Sequence, residues 1–255
     1  LRDLHDESRA GPAAATKVAA VTAGFWTVKI LATTLGETGG DALSMQLGLG
    51  YLSSSLLLLG LFAIAATVQV ATSRFHPVAY WACVVATTTV GTTASDYLDR
   101  TVGLGYPRSS AILFAVVVLM LLVWRRVTGR IAVDPVTARA DEAFYWATIL
   151  VSNTLGTALG DFTADDLGLG FGGGALLFAG LIALAALLRV VTRLPATLLF
   201  WAAYVLTRPL GATIGDILTK PPENGGLGLD RIRSSLVIAA AMVLGVWLTR
   251  RRRVR

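Results

Sequence analysis

Four tryptophans set the frame of this chain. Trp26, Trp81, Trp146 and Trp201 are each followed ten residues later by a glycine (Gly36, Gly91, Gly156, Gly211) and fifteen later by an aspartate (Asp41, Asp96, Asp161, Asp216). A Gly-Leu-Gly closes each unit, at 48–50, 103–105, 168–170 and, after a three-residue insertion, 226–228. The tryptophan spacings are 55, 65 and 55 residues, so the repeat is a pair of pairs. A period of this length constrains the architecture before any single residue does, because each unit packs as its neighbours do. It also delivers four equivalent acids, one to each unit.

The units are built for a bilayer. The chain is 55% apolar and 15% charged with a mean hydropathy of +0.67, against about 25% charge in ordinary soluble domains. Apolar stretches of about 20 residues, the length a helix needs to cross a membrane, fall near 18–38, 49–71, 77–97, 104–124, 143–163, 170–190, 196–217 and 230–249. This predicts an all-α integral membrane protein of eight transmembrane helices, arranged as four two-helix repeats. Residues 17–127 hold repeats 1 and 2, 128–142 form a linker, and 143–249 hold repeats 3 and 4. Because each unit has an even number of spans, all four enter the membrane in one direction. Such repeats are parallel and related by an axis along the membrane normal.

Basic residues give the orientation. Arg74, Arg125, Arg126, Arg130, Arg139, Arg189, Arg193 and the 250–255 tail fall in one set of loops. Arg100, Arg108, Lys220, Arg231 and Arg233 fall in the other, diluted by Asp99, Asp165, Asp166, Glu223 and Asp230. The positive-inside bias predicts that both termini and the linker are cytoplasmic. The net charge of +6 is this topology signal, so it does not point to nucleic acid. Residues 1–16 read as a disordered cytosolic lead, without the apolar core of a signal peptide. Cys83 is alone, which excludes an intrachain disulfide. His5 and His76 lie outside the spans, which removes an imidazole relay.

Residues four apart share a helix face. Lys29, Thr33, Glu37 and Asp41 therefore form one row, as do Thr88, Thr92 and Asp96; Asn153, Thr157 and Asp161; and Arg208, Ala212 and Asp216. The odd-numbered spans carry these polar stripes, and the even-numbered ones are nearly all Leu, Ala, Val and Gly. Polar side chains avoid lipid, so the four striped helices are expected to form an inner ring with their aspartates near the outer mouth of a central cavity. The even-numbered helices then form an outer ring. Candidate ion ligands are Asp41, Asp96, Asp161, Asp216, Glu37, Thr33, Thr88, Thr92, Asn153 and Thr157, and the five carboxylates among them are the candidate metal ligands. Oxygen sets of this kind suit hard cations.

The glycines at 36, 91, 156 and 211, with Gly40, Gly160 and Gly215, fit either close helix packing or a locally opened helix that frees carbonyl ligands. Lys29 and Arg208 have no basic counterparts in the other units. A cation at membrane depth needs a partner. Glu37 lies about 12 Å along the row from Lys29, so Lys29 is expected to reach an acid on another unit. Lys29 or Arg208 would then compensate a carboxylate pair when no cation is bound. A fixed internal ion pair is the plain alternative.

The Lys29-x3-Thr-Thr-x-Gly-Glu-Thr segment, the Gly-Asp pairs at 160–161 and 215–216 and the trailing Gly-Leu-Gly resemble a bacterial integral membrane family defined by tandem copies of a repeat of unknown function. The resemblance covers about residues 20 to 250, although three of the four units lack the Glu and Lys. It implies a multi-span protein of the bacterial inner membrane, and it links some relatives to cation export.

The leading expectation is a cation transporter, most simply a cation/proton antiporter, and not an enzyme. Burial disfavours the charged form of a carboxylate, so one site can exchange a proton for a cation. No cofactor is called for: Gly172–Gly174 lacks the Lys-Ser/Thr of a phosphate loop. The partners expected are the bilayer, a cation and a proton, and a homo-oligomer is compatible with the pattern. The alternatives are a passive channel filtered by an acidic ring and a membrane scaffold or accessory subunit. A lipid-modifying enzyme would need paired aspartates, and Asp165–Asp166 is the one adjacent pair. A Schiff base on Lys29 would rest on one lysine.

Overall fold

The structure is a computed structural model that describes residues 18–72, 75–131, 136 and 138–251. The expected lead, Arg74, part of the linker and the tail beyond 251 lie outside the described residues. The described chain is all-helical, with no strand. Its long helices are α1 (Ala23–Asp41), α2 (Tyr51–Ala71), α3 (Pro77–Asp96), α4 (Tyr106–Thr128), α5 (Arg139–Asp161), α6 (Gly170–Val191), α7 (Ala196–Thr219) and α8 (Arg231–Arg251).

Local chemistry sets their ends. Thr22 Oγ1 accepts the Phe25 N–H at 3.2 Å and opens α1, and His76 Nδ1 accepts the Ala79 N–H at 3.4 Å ahead of Pro77 in α3. After Asp41, Asp96 and Asp161 the helix widens into one π-helical turn, at Ala42–Gln46, Tyr97–Thr101 and Phe162–Asp166. Each turn runs into Gly-Leu-Gly, whose glycines at 48, 50, 103, 105, 168 and 170 all have φ between 63° and 79°. A side chain is strained there, which explains the recurring glycine pair.

Helices α1, α3, α5 and α7 close a ring in which each touches the next and α7 returns to α1. The same contact recurs at all four seams. A Cβ placed on Gly36 would lie 2.5 Å from Thr88 Cβ, one on Gly91 2.8 Å from the Asn153 carbonyl carbon, one on Gly156 2.5 Å from Arg208 Cβ, and one on Gly211 2.5 Å from Thr33 Cβ. One turn on, Gly40 meets Thr92, Gly160 meets Ala212, and Gly215 meets Glu37. Contacts that advance together along both helices mean that neighbours run parallel. Repeated head-to-tail contacts of this kind generate a closed ring.

The outer helices pack one unit ahead. α2 lies on α3, α4 on α5, α6 on α7, and α8 on α1. Each outer helix thus forms a hairpin with the inner helix that follows it, and α8 completes the circle. α2, α4, α6, α7 and α8 are long and apolar enough to cross a bilayer, while α1, α3 and α5 fall short because of their polar rows. Only 11–17% of the apolar windows of α2, α4, α6 and α8 is buried, against 72% for α7. Leu56, Ile64, Phe114, Leu176 and Val243 are among the apolar side chains left uncovered. This is an all-helical membrane protein with its polar rows turned inside and the apolar faces of its outer helices left uncovered.

Candidate functional site

The inner ring is a stack of layers, each made of four equivalent positions. At one end lies an aromatic plug. Phe25, Tyr80, Tyr145 and Phe200 form one layer and the four tryptophans the next, with rings 5.2–6.5 Å apart. Tyr80 and Tyr145 share a hydrogen bond of 2.8 Å. Next come Lys29, Val84, Ile149 and Tyr204, then Thr33, Thr88, Asn153 and Arg208, then Glu37, Thr92, Thr157 and Ala212, and finally the four aspartates. Apart from Ala212, every member of the Thr33, Glu37 and aspartate layers is a buried polar or charged residue.

The glycine contacts let hydroxyls bond across seams. Thr33 Oγ1 donates to the Thr207 carbonyl at 3.1 Å and Thr88 Oγ1 to the equivalent Ala32 carbonyl at 3.1 Å. Thr92 Oγ1 donates to the Gly36 carbonyl at 2.9 Å, and Asn153 Nδ2 to Thr87 Oγ1 at 3.0 Å. Thr33 and Thr88 therefore serve the helix contacts. The inner helices run unbroken through the glycines, so of the two roles open to these residues the structure uses close packing.

Arg208 fills the centre. It is fully buried, and its Nη2 donates to Glu37 Oε2 at 2.9 Å, Thr92 Oγ1 at 2.6 Å and Thr157 Oγ1 at 2.6 Å. These three residues occupy the same position in units 1, 2 and 3. One guanidinium nitrogen thus gathers oxygens from all three other inner helices, and Ala212, fully buried, stands at the fourth equivalent position. Arg208 and Glu37 thus form a buried ion pair across the α7–α1 seam.

Lys29 departs from expectation. Among the described residues its Nζ has no carboxylate and no hydrogen-bond partner; it lies over the Tyr204 ring, 4.3 Å from the centroid. The reason is its layer: the equivalent positions around it are Val84, Ile149 and Tyr204, none an acid.

The four aspartates converge with Glu37 at the other end, within electrostatic range of one another. Their surroundings differ. Asp96 pairs with Arg100 four residues on, at 3.0 Å. Lys220 bridges Asp216 and Asp41, each at 3.3 Å, and Arg231 approaches Asp41 at 3.5 Å. Asp161 has no ion pair among the described residues. Carboxylate oxygens of Glu37, Asp41 and Asp216 lie within 4.8 Å of one another, all three side chains buried. Asp96 and Asp161 stand outside that cluster.

Arg100, Lys220 and Arg231 were legible only as loop charges. Arg100 and Lys220 stand at the same offset from their aspartates, which is the i, i+4 spacing of a helical ion pair, whereas units 1 and 3 have Met45 and Asp165 there. The three-residue insertion bears on this directly. The Gly228 N–H bonds the Lys220 carbonyl at 2.8 Å and Leu227 N–H the Ile217 carbonyl at 2.7 Å, folding the loop back onto Lys220. Burial works against the Lys220 charge, but Asp216 and Asp41 outweigh it and hold the ammonium above its ordinary range. Lys220 is therefore an ammonium at neutral pH, tethered between Asp216 and Asp41. In the turn beyond α3, burial pushes the Asp99 carboxyl above the usual carboxylate range, against hydrogen bonds from Ser109 and Ser95.

Repeat by repeat, the family described as Repeat of Unknown Function (DUF347) matches residues 24–75, 79–130, 144–194 and 199–254. The chain belongs to this family. The four DUF347 matches coincide with the four units of the ring, each running from an inner helix to the end of the outer helix after it. No curated protein and no solved structure matches the chain.

Proposed function

We propose that this DUF347 chain transports a cation, most simply in exchange for protons. The observation that carries the reading is the buried Glu37–Asp41–Asp216 cluster, whose oxygens lie within 4.8 Å of one another and are held by two tethered cations, Arg208 and Lys220. Closely spaced carboxylates repel unless a proton or cation sits among them. A cation arriving from the aspartate end displaces the Lys220 ammonium and takes oxygens from Asp41, Asp216 and Glu37. Protons return to the same oxygens when it leaves. Oxygen ligation favours Na⁺, K⁺, Mg²⁺, Ca²⁺ or Mn²⁺ over soft metals.

In this reading all eight helices span the bilayer, the four units run parallel about the membrane normal, and the chain sits in a bacterial inner membrane with both termini cytoplasmic. The acidic end then faces outward and the aromatic end inward. The chain carries no enzymatic chemistry. Arg208 on the ring axis and the aromatic layers behind it favour a gated carrier over an open channel, and the charges buried at one seam favour transport over a scaffold. Reconstituted vesicles test this. A cation gradient should drive proton movement of opposite direction at fixed stoichiometry, whereas conductance without proton movement would turn the reading towards a channel.

A further inference from the structure

A cavity of about 770 Å³ opens at the aromatic end of the bundle, between the last turns of α6 and the first turns of α7 and α1. It lies on the α7–α1 seam, at the end opposite the Glu37–Asp41–Asp216 cluster. Its size is that of an ordinary ligand pocket. Trp26 and Phe200, with ring centroids 5.8 Å apart, form one wall and Ile182 part of the other. Thr197 and Arg189 are the polar residues along it.

The preceding unit shows how the space arises. Met120, Leu121 and Trp124 stand on α4 where α6 has Ala185, Ala186 and Arg189. Trp124 is fully buried, stacks on Phe144 at 6.1 Å and meets Trp201 edge-on at 5.9 Å. Its Nε1 donates to Asp141 Oδ1 at 2.8 Å. Beside α6, two alanines and an exposed arginine leave that volume open. Trp26, the counterpart of Trp201, is accordingly only partly buried, while Trp81, Trp146 and Trp201 are buried. Ala196 stands where α5 has Asp141, and among the described residues Arg189 enters no ion pair.

We propose that this cavity binds an anionic phospholipid of the surrounding bilayer, with an acyl chain against Trp26, Ile182 and Phe200 and the phosphate on the Arg189 guanidinium. Arg189 lies in the last turn of an apolar helix long enough to cross a bilayer, which sets its charge at headgroup depth. Basic pockets between membrane helices take anionic headgroups. The chain enters from the side, where Val21, Ala186 and Ala196 are exposed. A soluble anion would find one guanidinium and an otherwise apolar wall, and a neutral lipid would leave Arg189 without a counter-charge. The site uses none of the carboxylates or cations of the proposed transport site, so it stands or falls apart from that reading.

Thermal unfolding of the purified protein in detergent tests it, with phosphatidylglycerol, phosphatidylcholine or free glycerol phosphate added. At a hundredfold excess over Kd, phosphatidylglycerol should raise the midpoint by roughly 5–10 °C and saturate. Phosphatidylcholine and glycerol phosphate should raise it far less. Arg189→Gln should abolish the advantage of phosphatidylglycerol, and Ala186→Leu, which restores part of the filled α4 seam, should block its rise. Arg193→Gln, outside the cavity, should leave the rise whole. Equal rises with the two lipids, a rise with glycerol phosphate alone, or a phosphatidylglycerol rise that survives Arg189→Gln or Ala186→Leu would each overturn the proposal. Should Ala186→Leu fail to fold, Arg189→Gln beside Arg193→Gln decides.

Discussion

The seam between α7 and α1 and the seam between α3 and α5 share one geometry and differ in chemistry. In each, a glycine admits the backbone of the next helix: Gly211 against Thr33, and Gly91 against Asn153. At α3–α5 the polar contacts are neutral, with Asn153 on Thr87 and Tyr80 on Tyr145. At α7–α1 they are ionic, with Glu37, Asp41 and Asp216 facing Arg208 and Lys220. Repetition thus built a ring of equal seams, and divergence placed charge in one of them. The candidate site is that seam rather than a symmetric ring of four aspartates.

The comparison breaks most sharply at Glu37. Glu37→Ala leaves the buried Arg208 guanidinium without a carboxylate, so unfolding in detergent should show a loss of about 3–5 kcal/mol. Thr92→Val, at the equivalent position, removes a hydroxyl and should cost about 1–3 kcal/mol. Equal losses would mean that the ionic seam is not special.

The glycines test the shared geometry. A Cβ would lie 2.8 Å from the next backbone at both Gly91 and Gly211, so Gly91→Ala and Gly211→Ala should each cost about 1–3 kcal/mol. A wide gap between the two, read from thermal unfolding, would show that the seams are not equivalent.

Basic residues sharpen the functional side. Lys220→Met removes the tethered competitor between Asp41 and Asp216 and should tighten cation binding on the order of tenfold, about 1.4 kcal/mol. Arg100→Met, its counterpart beside Asp96, should change titrated affinity far less. The smallest effect belongs to the neutral seam: Asn153→Ala should cost about 1 kcal/mol in unfolding and leave cation-linked proton release intact.

How much of this was legible in the sequence follows from what repetition encodes. The Trp–Gly–Asp spacing predicts the inner ring because equal helical positions present equal faces, and polar rows avoid lipid. It does not reveal that α2 packs on α3 rather than on its own unit's α1, since a hairpin and a crossover read alike along the chain. The Arg208 partner was partly legible: a buried guanidinium needs an acid, and Glu37 is the acid one turn from its layer. Lys29 was misread because the same argument, applied to a layer of Val84, Ile149 and Tyr204, finds no acid to reach. Lys220 and Arg100 were hidden by their position just past a span, where charge reads as topology. The offset of four from Asp216 and Asp96 was the signal that could have marked them.

The central claim is that a cation and a proton compete at the Glu37–Asp41–Asp216 seam. Proton release from purified protein on adding single cations measures it directly, with Asp216→Asn and Asp161→Asn beside the wild type. The account predicts release by one ion, lost in Asp216→Asn and largely kept in Asp161→Asn. Release that survives Asp216→Asn, or no release with any cation, would contradict it.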